Sequence, residues 1–429
     1  MQTVYHFSLF FIGCFKNYLY LCIAISGCKD NNYFSYNAMK CIFFSIIMLF
    51  MGLTANSSAQ NTGVRTGADR MDVWLPMLEN KRVGLVVNQT SLVSIDGEWY
   101  QPLADTLLSR GVNVRCIMSP EHGYLGTAGA GKAIPNSKDR RTGLTVLSLY
   151  GKTHKPLPQW LHQVDVVVFD LQDVGTRFYT YLSTLYYMLQ ACGEEQTDIL
   201  VLDRPNPNDT IDGPMLRPEY KSFVGIVPVP LLHGCTLGEL ARMMVGEKWI
   251  GDSIPNLTVI PCEGWNHGDR YSLPVAPSPN LPTMHAIHLY PSLCLFEGTD
   301  ISIGRGTDHP FECYGHPMIE GLFEFTPRSC EAARHPLQEN RLCHGVDLRG
   351  VPAPKGFSLD YLMDINRRFG INFITSRKFF DRLAGSDELR RQIIGGMSAE
   401  RIRNSWQKDL TEYRKIRRKY VIYDEPQNP

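Results

Sequence analysis

The sequence predicts an α/β fold: a Rossmann-like, mostly parallel sheet with helices on both faces, followed by a smaller α+β domain. Two observations predict the sheet. Apolar runs of strand length alternate with helical patterns through the first half of the chain, and crossovers of that size join parallel strands. A third observation places the boundary, because a proline-rich, loop-rich passage begins at Trp265. We therefore expect a Rossmann-like catalytic domain over residues 60–264 and an α+β domain over residues 265–429.

The individual elements follow from local patterns. Strands are apolar runs that stop at polar or turn-forming residues, and helices show apolar spacing of three to four residues. The predicted strands lie within residues 82–88, 112–126, 144–149, 164–173, 198–207 and 256–261, with a further one at 345–351. The predicted helices lie within residues 74–78, 101–108, 157–162, 177–191, 236–245, 359–369, 378–383, 387–394 and 399–419. The helix after Thr236 is predicted to begin with a capping box, because Glu239 follows three residues later.

The first 59 residues are interpreted as an export signal outside the fold. From Met39 the chain has a lysine, an apolar stretch of signal-peptide length and the small residues Ser57-Ser58-Ala59, which predicts cleavage near Ala59. An upstream apolar segment ends in Ile25-Ser26-Gly27-Cys28, so a lipid anchor at Cys28 is the alternative. Either interpretation predicts an exported, periplasmic protein.

Composition excludes some partners and leaves other questions open. Lysine and arginine number 43 and so do aspartate and glutamate, and such a balance argues against nucleic acid as the main partner. Eight cysteines follow the export segment without a C-x-x-C pair, which leaves disulfides and buried free thiols equally open. No pattern predicts an oligomeric state.

Three predicted strands end on carboxylates. Because parallel strands share one carboxyl edge, and ligands bind there in this type of fold, we expect a functional site at that edge. Turn formation explains the same residue types at any single strand end. Arg204 and the Pro-Asn-Pro turn after it suggest that Asp203 forms a structural ion pair. The residues at the three ends are Glu121 with His122, Asp170 with Asp173, and Asp203 with Arg204.

Several familiar chemistries are not supported by the motifs. Residues Gly126–Lys132 match P-loop spacing, but Ala133 replaces the magnesium-binding Ser or Thr, and Pro135 prevents the helix that must follow. No G-x-G-x-x-G follows the first strand, and neither G-x-S-x-G nor H-E-x-x-H occurs. We therefore expect no metal, no dinucleotide and no other cofactor.

The remaining residues are typical of a sugar site. Arg177 and Tyr181 are spaced i, i+4 on the predicted helix 177–191, with Tyr179 between them. Asn280 and Arg305 belong to loops of the second domain that we expect to close over the sheet edge. Carboxylates supply acids, bases or hydroxyl acceptors, and arginine suits an anionic group. A non-catalytic envelope sugar-binding protein, or a metal-dependent deacetylase or amidase of cell-wall sugars, are the alternatives.

Ordered motifs between Arg82 and Tyr420 resemble the NamZ family of exo-β-N-acetylmuramidases. They are VGLVVNQTS, SPEHGYLG, DLQDVGTRFYTY, LDRPNP, TLGELA, SPNLP, YPSLCLFEGTDISIGRGTDHPFE and MSAERIRNSWQKDLTEYRKIRRKY. The resemblance implies an exported glycoside hydrolase that releases terminal N-acetylmuramic acid from the non-reducing end of peptidoglycan fragments.

The resemblance also implies site residues. It makes Glu121 of SPEHG the general acid and implies site neighbours at His122, Asp170, Asp173, Arg177, Tyr179 and Asn280. Among these, Asp170 and Asp173 are the further catalytic candidates. Asn88, at the tip of the first strand, Tyr181 and Arg305 complete the predicted substrate-binding set. The glycine loop ends in Lys132, where relatives are expected to have an acidic residue, and this leaves the role of the loop open.

The motifs do not identify the second catalytic group. They also leave inversion, retention and participation of the substrate's acetamido group as open alternatives. For recognition of the negatively charged lactyl group of muramic acid, Arg177 and Arg305 are the candidates.

Overall fold

The computed structural model describes residues 63–97 and 99–426, so the predicted export signal lies outside the described residues. The strands in chain order are β1 (Val83–Val87), β2 (Leu92–Ser94), β3 (Tyr100–Pro102), β4 (Val114–Ser119), β5 (Ser137–Lys138), β6 (Thr145–Ser148), β7 (Val166–Asp170), β8 (Asp198–Leu202), β9 (Ile211–Met215), β10 (Pro230–His233), β11 (Leu257–Ile260), β12 (Cys313–His316), β13 (Phe323–Phe325) and β14 (Cys343–Asp347). The α-helices are α1 (Met71–Trp74), α2 (Leu103–Ser109), α3 (Pro158–Leu161), α4 (Tyr181–Glu194), α5 (Leu237–Gly246), α6 (Met284–Leu293), α7 (Asp360–Phe369), α8 (Arg377–Ala384), α9 (Glu388–Ile394), α10 (Ala399–Ser405) and α11 (Gln407–Arg417). Short 3₁₀ helices cover Leu75–Leu78, Pro218–Tyr220, Cys294–Gly298 and Gly370–Phe373.

The predicted parallel sheet is confirmed. Seven strands lie in the order β11-β8-β7-β1-β4-β6-β5, and all neighbours pair in parallel except β5, which is antiparallel to β6. Strands β4, β7 and β8, which lead to Glu121, Asp170 and Asp203, are separated by no strand other than β1. Their carboxyl ends therefore meet at one edge, as the sequence predicts.

Helices cover both faces of the sheet. Side chains alternate between the faces along each strand, so Leu85 of β1 packs in a core with α1 and α2, and Val86 packs in a larger core with α4 and α5. Helix α5 begins with the predicted capping box, in which Thr236 accepts from the Glu239 N–H and Glu239 binds the Thr236 N–H.

The helix predicted over 177–191 begins later than expected, and that prediction is wrong for its first four residues. Helix α4 starts at Tyr181. The segment before it lies along β10 instead, because Thr176 forms a β-bridge with Leu232 and the Arg177 N–H donates to the Leu231 carbonyl at 2.8 Å. Arg177 and Tyr181 therefore do not share a helix face.

The second half of the chain combines a three-stranded antiparallel sheet, ordered β12-β14-β13, with helices α6 to α11. Strand β14 begins two residues earlier than predicted. The single helix predicted over 399–419 is wrong: α10 and α11 are separated at Trp406, whose buried side chain packs near Phe357. Within the described part of the chain, no helix has the length and apolarity that crossing a bilayer requires.

A buried charged network around His267, the His267 network, ties the C-terminal segment to the sheet. His267 Nδ1 lies 2.9 Å from Asp209 Oδ1, and its Nε2 lies 2.9 Å from Glu239 Oε1. The Ile422 N–H donates to the same Glu239 oxygen at 2.9 Å. Arg417 reaches His267 Nε2 at 3.1 Å and donates to the Gly234 carbonyl at 2.7 Å. The last helix is therefore fixed to the loop that follows β10.

Candidate active site

Glu121 lies in the turn after β4, beneath the glycine loop of residues 126–132. Its Oε1 accepts from the Gly131 N–H at 2.7 Å, and its Oε2 accepts from the Thr180 hydroxyl at 2.7 Å. The residue is 7% exposed. Burial first and the Glu121 charge second raise the pKa of Tyr150. The Glu121 carboxylate is thus held by uncharged donors in a largely water-free position.

His122 holds the glycine loop over Glu121. Its φ of 69° is in the left-handed region, which non-glycine residues rarely adopt. This turn directs the imidazole Nδ1 to the Ala128 carbonyl at 2.7 Å, while the Ala128 N–H donates to the His122 carbonyl at 3.2 Å. Burial lowers the pKa of His122, against the opposing effect of the Glu121 charge. The geometry gives His122 a loop-holding role beside the carboxylate.

Two tyrosines and Asn88 form a hydrogen-bonded cluster next to Glu121. Both Tyr179 and Tyr181 donate to the Pro277 carbonyl, at 2.9 and 3.2 Å, and Asn88 Nδ2 donates to the Tyr181 hydroxyl at 2.7 Å. Burial raises the pKa of Tyr181, and the charges of Glu121 and Asp173 add to the rise. The Tyr181 ring therefore lies within the field of both carboxylates.

Asp170 forms an ion pair at the base of the site. Arg204 Nε and its NH2 group donate to the two carboxylate oxygens at 2.5 and 2.9 Å, and both side chains are almost completely buried. The sequence suggested Asp203 as the partner of an ion pair, and that interpretation is wrong. Asp203 instead accepts from the Thr236 and Tyr423 hydroxyls and from the Gly238 N–H. Burial raises the pKa of Asp203 to about 6.

Asp173 stands on the loop between β7 and α4 and is 5% exposed. Its Oδ2 accepts from the Gly175 N–H at 2.7 Å and lies 3.5 Å from His233 Nε2. Gly175 makes this turn possible, because its φ is +81° and a Cβ there would lie 2.1 Å from the Asn206 side chain. The tight turn brings Asp173 against the end of β10.

Arg177 lies in the protein interior. Its guanidinium is fully buried and donates to three carbonyls, those of Pro214, Val229 and Leu383, at 2.7 to 3.0 Å. The spacing argument for Arg177 and Tyr181 facing the cleft together required a shared helix face that does not form, so only the family resemblance still supports Arg177 as a site neighbour. We therefore leave Arg177 out of the set of residues that can reach a ligand.

Asn280 and Arg305 come from the second half of the chain. Asn280 Nδ2 donates to the Ala332 carbonyl at 2.9 Å, which fixes the segment 331–334 beside the glycine loop. Arg305 pairs with Glu297, and its guanidinium carbon lies 4.9 Å from the centre of the Phe311 ring. Arg305 and Ala332, the residue that Asn280 binds, both line a cavity.

The cavity has a volume of about 420 Å³ and lies between the glycine loop and residues 332–337. Gly131, whose N–H binds Glu121, is part of its wall, together with Lys132, Arg305 and Arg334. The close approach of the two loops requires glycine at position 129, because a Cβ there would lie 2.9 Å from the Ala332 carbonyl oxygen. The wall thus carries three cationic side chains and the Glu297 carboxylate, and it adjoins Glu121 through Gly131.

The structure brings Glu121, His122, Asn88, Tyr179, Tyr181 and Asp173 to one edge. Arg305 lines the cavity beside it, and Asn280 binds Ala332 of the cavity wall. Sequence reasoning missed Thr180 and His233, which contact Glu121 and Asp173. A signal for His233 existed, since it ends an apolar run, but the prolines at 228 and 230 argue against a strand there.

Within residues 63–97 and 99–426, no group of three or more His, Cys, Asp and Glu side chains has the arrangement of a metal site. All eight described cysteines are free, and Cys330 alone among them is exposed.

Comparison with known proteins identifies the family. Residues 83–285 match the N-terminal domain, and residues 288–423 the C-terminal domain, of the exo-β-N-acetylmuramidase NamZ. The peptidoglycan β-N-acetylmuramidase NamZ of Bacillus subtilis (strain 168) is 39% identical over 423 residues, which cover 89% of this chain and 98% of that protein.

Two solved structures share the fold. Both are DUF1343-family proteins of Bacteroides fragilis NCTC 9343. One is 44% identical with a TM-score of 0.77 and covers 85% of this chain and 99% of its own. The other is 30% identical with a TM-score of 0.73 and covers 84% and 99%. With the fold, the carboxylate edge and these relatives in agreement, the chain belongs to the NamZ family of exo-β-N-acetylmuramidases and is a glycoside hydrolase.

Proposed function

We propose that this enzyme releases terminal N-acetylmuramic acid from the non-reducing end of peptidoglycan-derived muropeptides or disaccharides, with Glu121 as the general acid. The named activity of the Bacillus subtilis relative supports the substrate. One observation carries the role of Glu121: its carboxylate is bound only by uncharged donors among the described residues, whereas Asp170 is bound by Arg204.

Cleavage of a glycosidic bond requires a proton on the departing oxygen as the bond to the anomeric carbon breaks. Thr180 suits both protonation states of Glu121, because its hydroxyl can donate to the carboxylate or accept from the carboxylic acid. The backbone N–H of Gly131 donates to the other carboxylate oxygen of Glu121. An acid paired with a buried arginine lacks this freedom, since loss of its charge would leave the cation unpaired.

We also propose that the cavity accommodates the lactyl carboxylate of muramic acid. Arg305 and Lys132 supply positive charge at its wall, and Arg305 is already oriented by Glu297. Charge-assisted hydrogen bonds to a carboxylate are among the stronger polar contacts. Arg177, the other candidate, lies in the interior, where its guanidinium donates to three backbone carbonyls.

Export is the remaining part of the proposal. The segment from Met39 to Ala59 has the composition of a signal peptide, and peptidoglycan, the proposed substrate, is an envelope polymer. We propose a mature, periplasmic enzyme that begins near Gln60.

Replacement of Glu121 by Gln tests the mechanism. The amide keeps the shape but cannot supply the proton, so we expect release of N-acetylmuramic acid from a defined disaccharide to fall roughly a hundredfold or more. Thermal stability should stay near that of the wild type. A muramic acid glycoside with a very good leaving group needs little protonation and should be less affected in its first step.

Glu312 offers a matched control. It is also 7% exposed and also accepts from a threonine hydroxyl, that of Thr283 at 2.5 Å. Glu312→Gln should leave the rate within about twofold of the wild type. A folded Glu121→Gln enzyme that cleaves the disaccharide at the wild-type rate would show that another carboxylate is the acid. Absence of N-acetylmuramic acid release by the wild type would exclude the proposed activity itself.

A further inference from the structure

Asp173 and His233 form a buried pair at the edge of the candidate site. His233 is fully buried at the end of β10, and its Nε2 lies 3.5 Å from Asp173 Oδ2. This separation is slightly longer than a hydrogen bond. Catalytic hydrogen bonds in unliganded enzymes are often long and shorten when substrate binds.

The surroundings of His233 determine which nitrogen carries the proton. Nδ1 accepts from the Cys235 N–H at 3.2 Å, so in the neutral imidazole the proton is on Nε2, the atom that faces Asp173. The backbone is held as well, because Tyr413 of α11 donates to the His233 carbonyl at 2.8 Å. The imidazole is thus oriented as a donor towards Asp173.

Among the described residues, Asp173 binds through one of its two carboxylate oxygens. Oδ2 accepts from the Gly175 N–H and faces His233. Oδ1 is buried and has no hydrogen-bond partner among the described residues. A carboxylate oxygen left in this way is costly unless a ligand binds it. The Asp173 charge contributes to the raised pKa of both Tyr179 and Tyr181, after the larger effect of burial, so the carboxylate lies beside the cluster next to Glu121.

We propose that His233 is a positioning residue that orients Asp173 as the second carboxylate of the reaction, with Oδ1 as the hydrogen-bond acceptor for the bound substrate. The inference rests on the proposed function and deepens it. The Gly175 N–H binds Oδ2 and His233 Nε2 faces it, which leaves Oδ1 to accept from a hydroxyl, an amide N–H or a water at the reacting sugar. Glu121 would act on the departing oxygen.

The same geometry occurs a second time and provides a control. His316 Nε2 lies 3.5 Å from Asp300 Oδ2, and its Nδ1 accepts from the Met318 N–H at 3.1 Å. This pair belongs to β12 and the loop before it. Asp300 Oδ1 is also buried without a hydrogen-bond partner among the described residues, although the side chain as a whole is 32% exposed against 6% for Asp173. A histidine that only stabilises the fold should behave alike in both pairs.

The test uses the full-length enzyme and three substitutions of His233. Gln retains an N–H at the position of Nε2. Leu removes both polar nitrogens, and Asn can still accept from Cys235 but does not reach Asp173. We expect His233→Leu and His233→Asn to lower kcat at least tenfold with KM within about twofold. We expect His233→Gln to keep kcat within about threefold of the wild type, and His316→Leu to leave kcat unchanged.

A double substitution tests whether His233 acts through Asp173. In an Asp173→Asn background, His233→Asn should lower kcat by less than twofold more, since the group that it orients is already altered. A full additional tenfold loss would overturn the proposal. So would wild-type kcat in folded His233→Asn, or equal losses in the Gln and Asn variants. If His233→Leu does not fold, the comparison of His233→Asn with His233→Gln is sufficient to test the proposal. The wild-type rate reports the proposed function separately, because only the ratios of variant to wild type test His233.

Discussion

The His267 network predicts that stability falls as the pH rises from 6.5 to 9. Burial by itself lowers the pKa of His267, but hydrogen bonds to Asp209 and Glu239, with the charges of both, raise it to about 9 from 6.5. Arg417, Tyr423 and Glu425 complete the surroundings of the ring. A raised pKa in the folded state means that the stabilisation is fully present below pH 6.5 and is lost as the pH rises through about 9. A rise of this size in the pKa of His267 corresponds to about 3 kcal/mol.

Thermal unfolding at a fixed scan rate, at pH 6.5, 7.5 and 9, measures this loss. The wild-type Tm should fall by several degrees across the range. His267→Gln should start lower and show a flatter dependence, and the difference between the two slopes is the quantity of interest, because other groups titrate as well. His162, which pairs with Glu195 at the surface and is 65% exposed, supplies the control substitution His162→Gln. Parallel wild-type and His267→Gln curves would refute the reasoning.

Three further results are expected. Arg305→Ala should lower kcat/KM for muramic acid glycosides roughly tenfold to a hundredfold, because a charge-assisted hydrogen bond of about 1.5–3 kcal/mol is lost. If the wild type hydrolysed N-acetylglucosaminides, which lack the lactyl group, equally well, selection by charge would be refuted. Arg204→Met should destabilise the enzyme by about 3–5 kcal/mol in thermal unfolding, because Asp170 is left as an unpaired buried charge, and adding Asp170→Asn should recover part of the loss. Mass spectrometry of the exported protein should find an N-terminus near Gln60, and an acylated Cys28 would contradict this.

The fold could be predicted from the sequence to the extent that local pattern determines it. The strands of the parallel sheet are continuous apolar runs, and the capping box at Thr236 marks a helix start within one residue. Helix α4 began late because Thr176 and Arg177 bind β10, which lies more than 50 residues further along the chain. No periodicity within 177–191 carries that information.

The candidate site also contains residues that the sequence predicts and residues whose roles depend on long-range contacts. Glu121 and Asp173 could be predicted as site residues because they follow the carboxyl ends of β4 and β7 in a parallel sheet, where ligands bind. The ion-pair partner of Arg204 was predicted wrongly. Asp203 is its neighbour in sequence, but Asp170 forms the ion pair in the folded structure. His233 was missed for the same reason, since its contact with Asp173 joins two elements that are 60 residues apart.

The buried guanidinium of Arg177 links the folding of the two halves of the chain. Two of its carbonyl acceptors, at Pro214 and Val229, precede residue 285, but the third, at Leu383, belongs to α8. A fragment that ends where the N-terminal family match ends would leave this cation short of an acceptor at a surface newly opened to water. We therefore expect the two family segments to unfold as one cooperative unit, and separate expression should yield an N-terminal half that is less stable than the full-length protein.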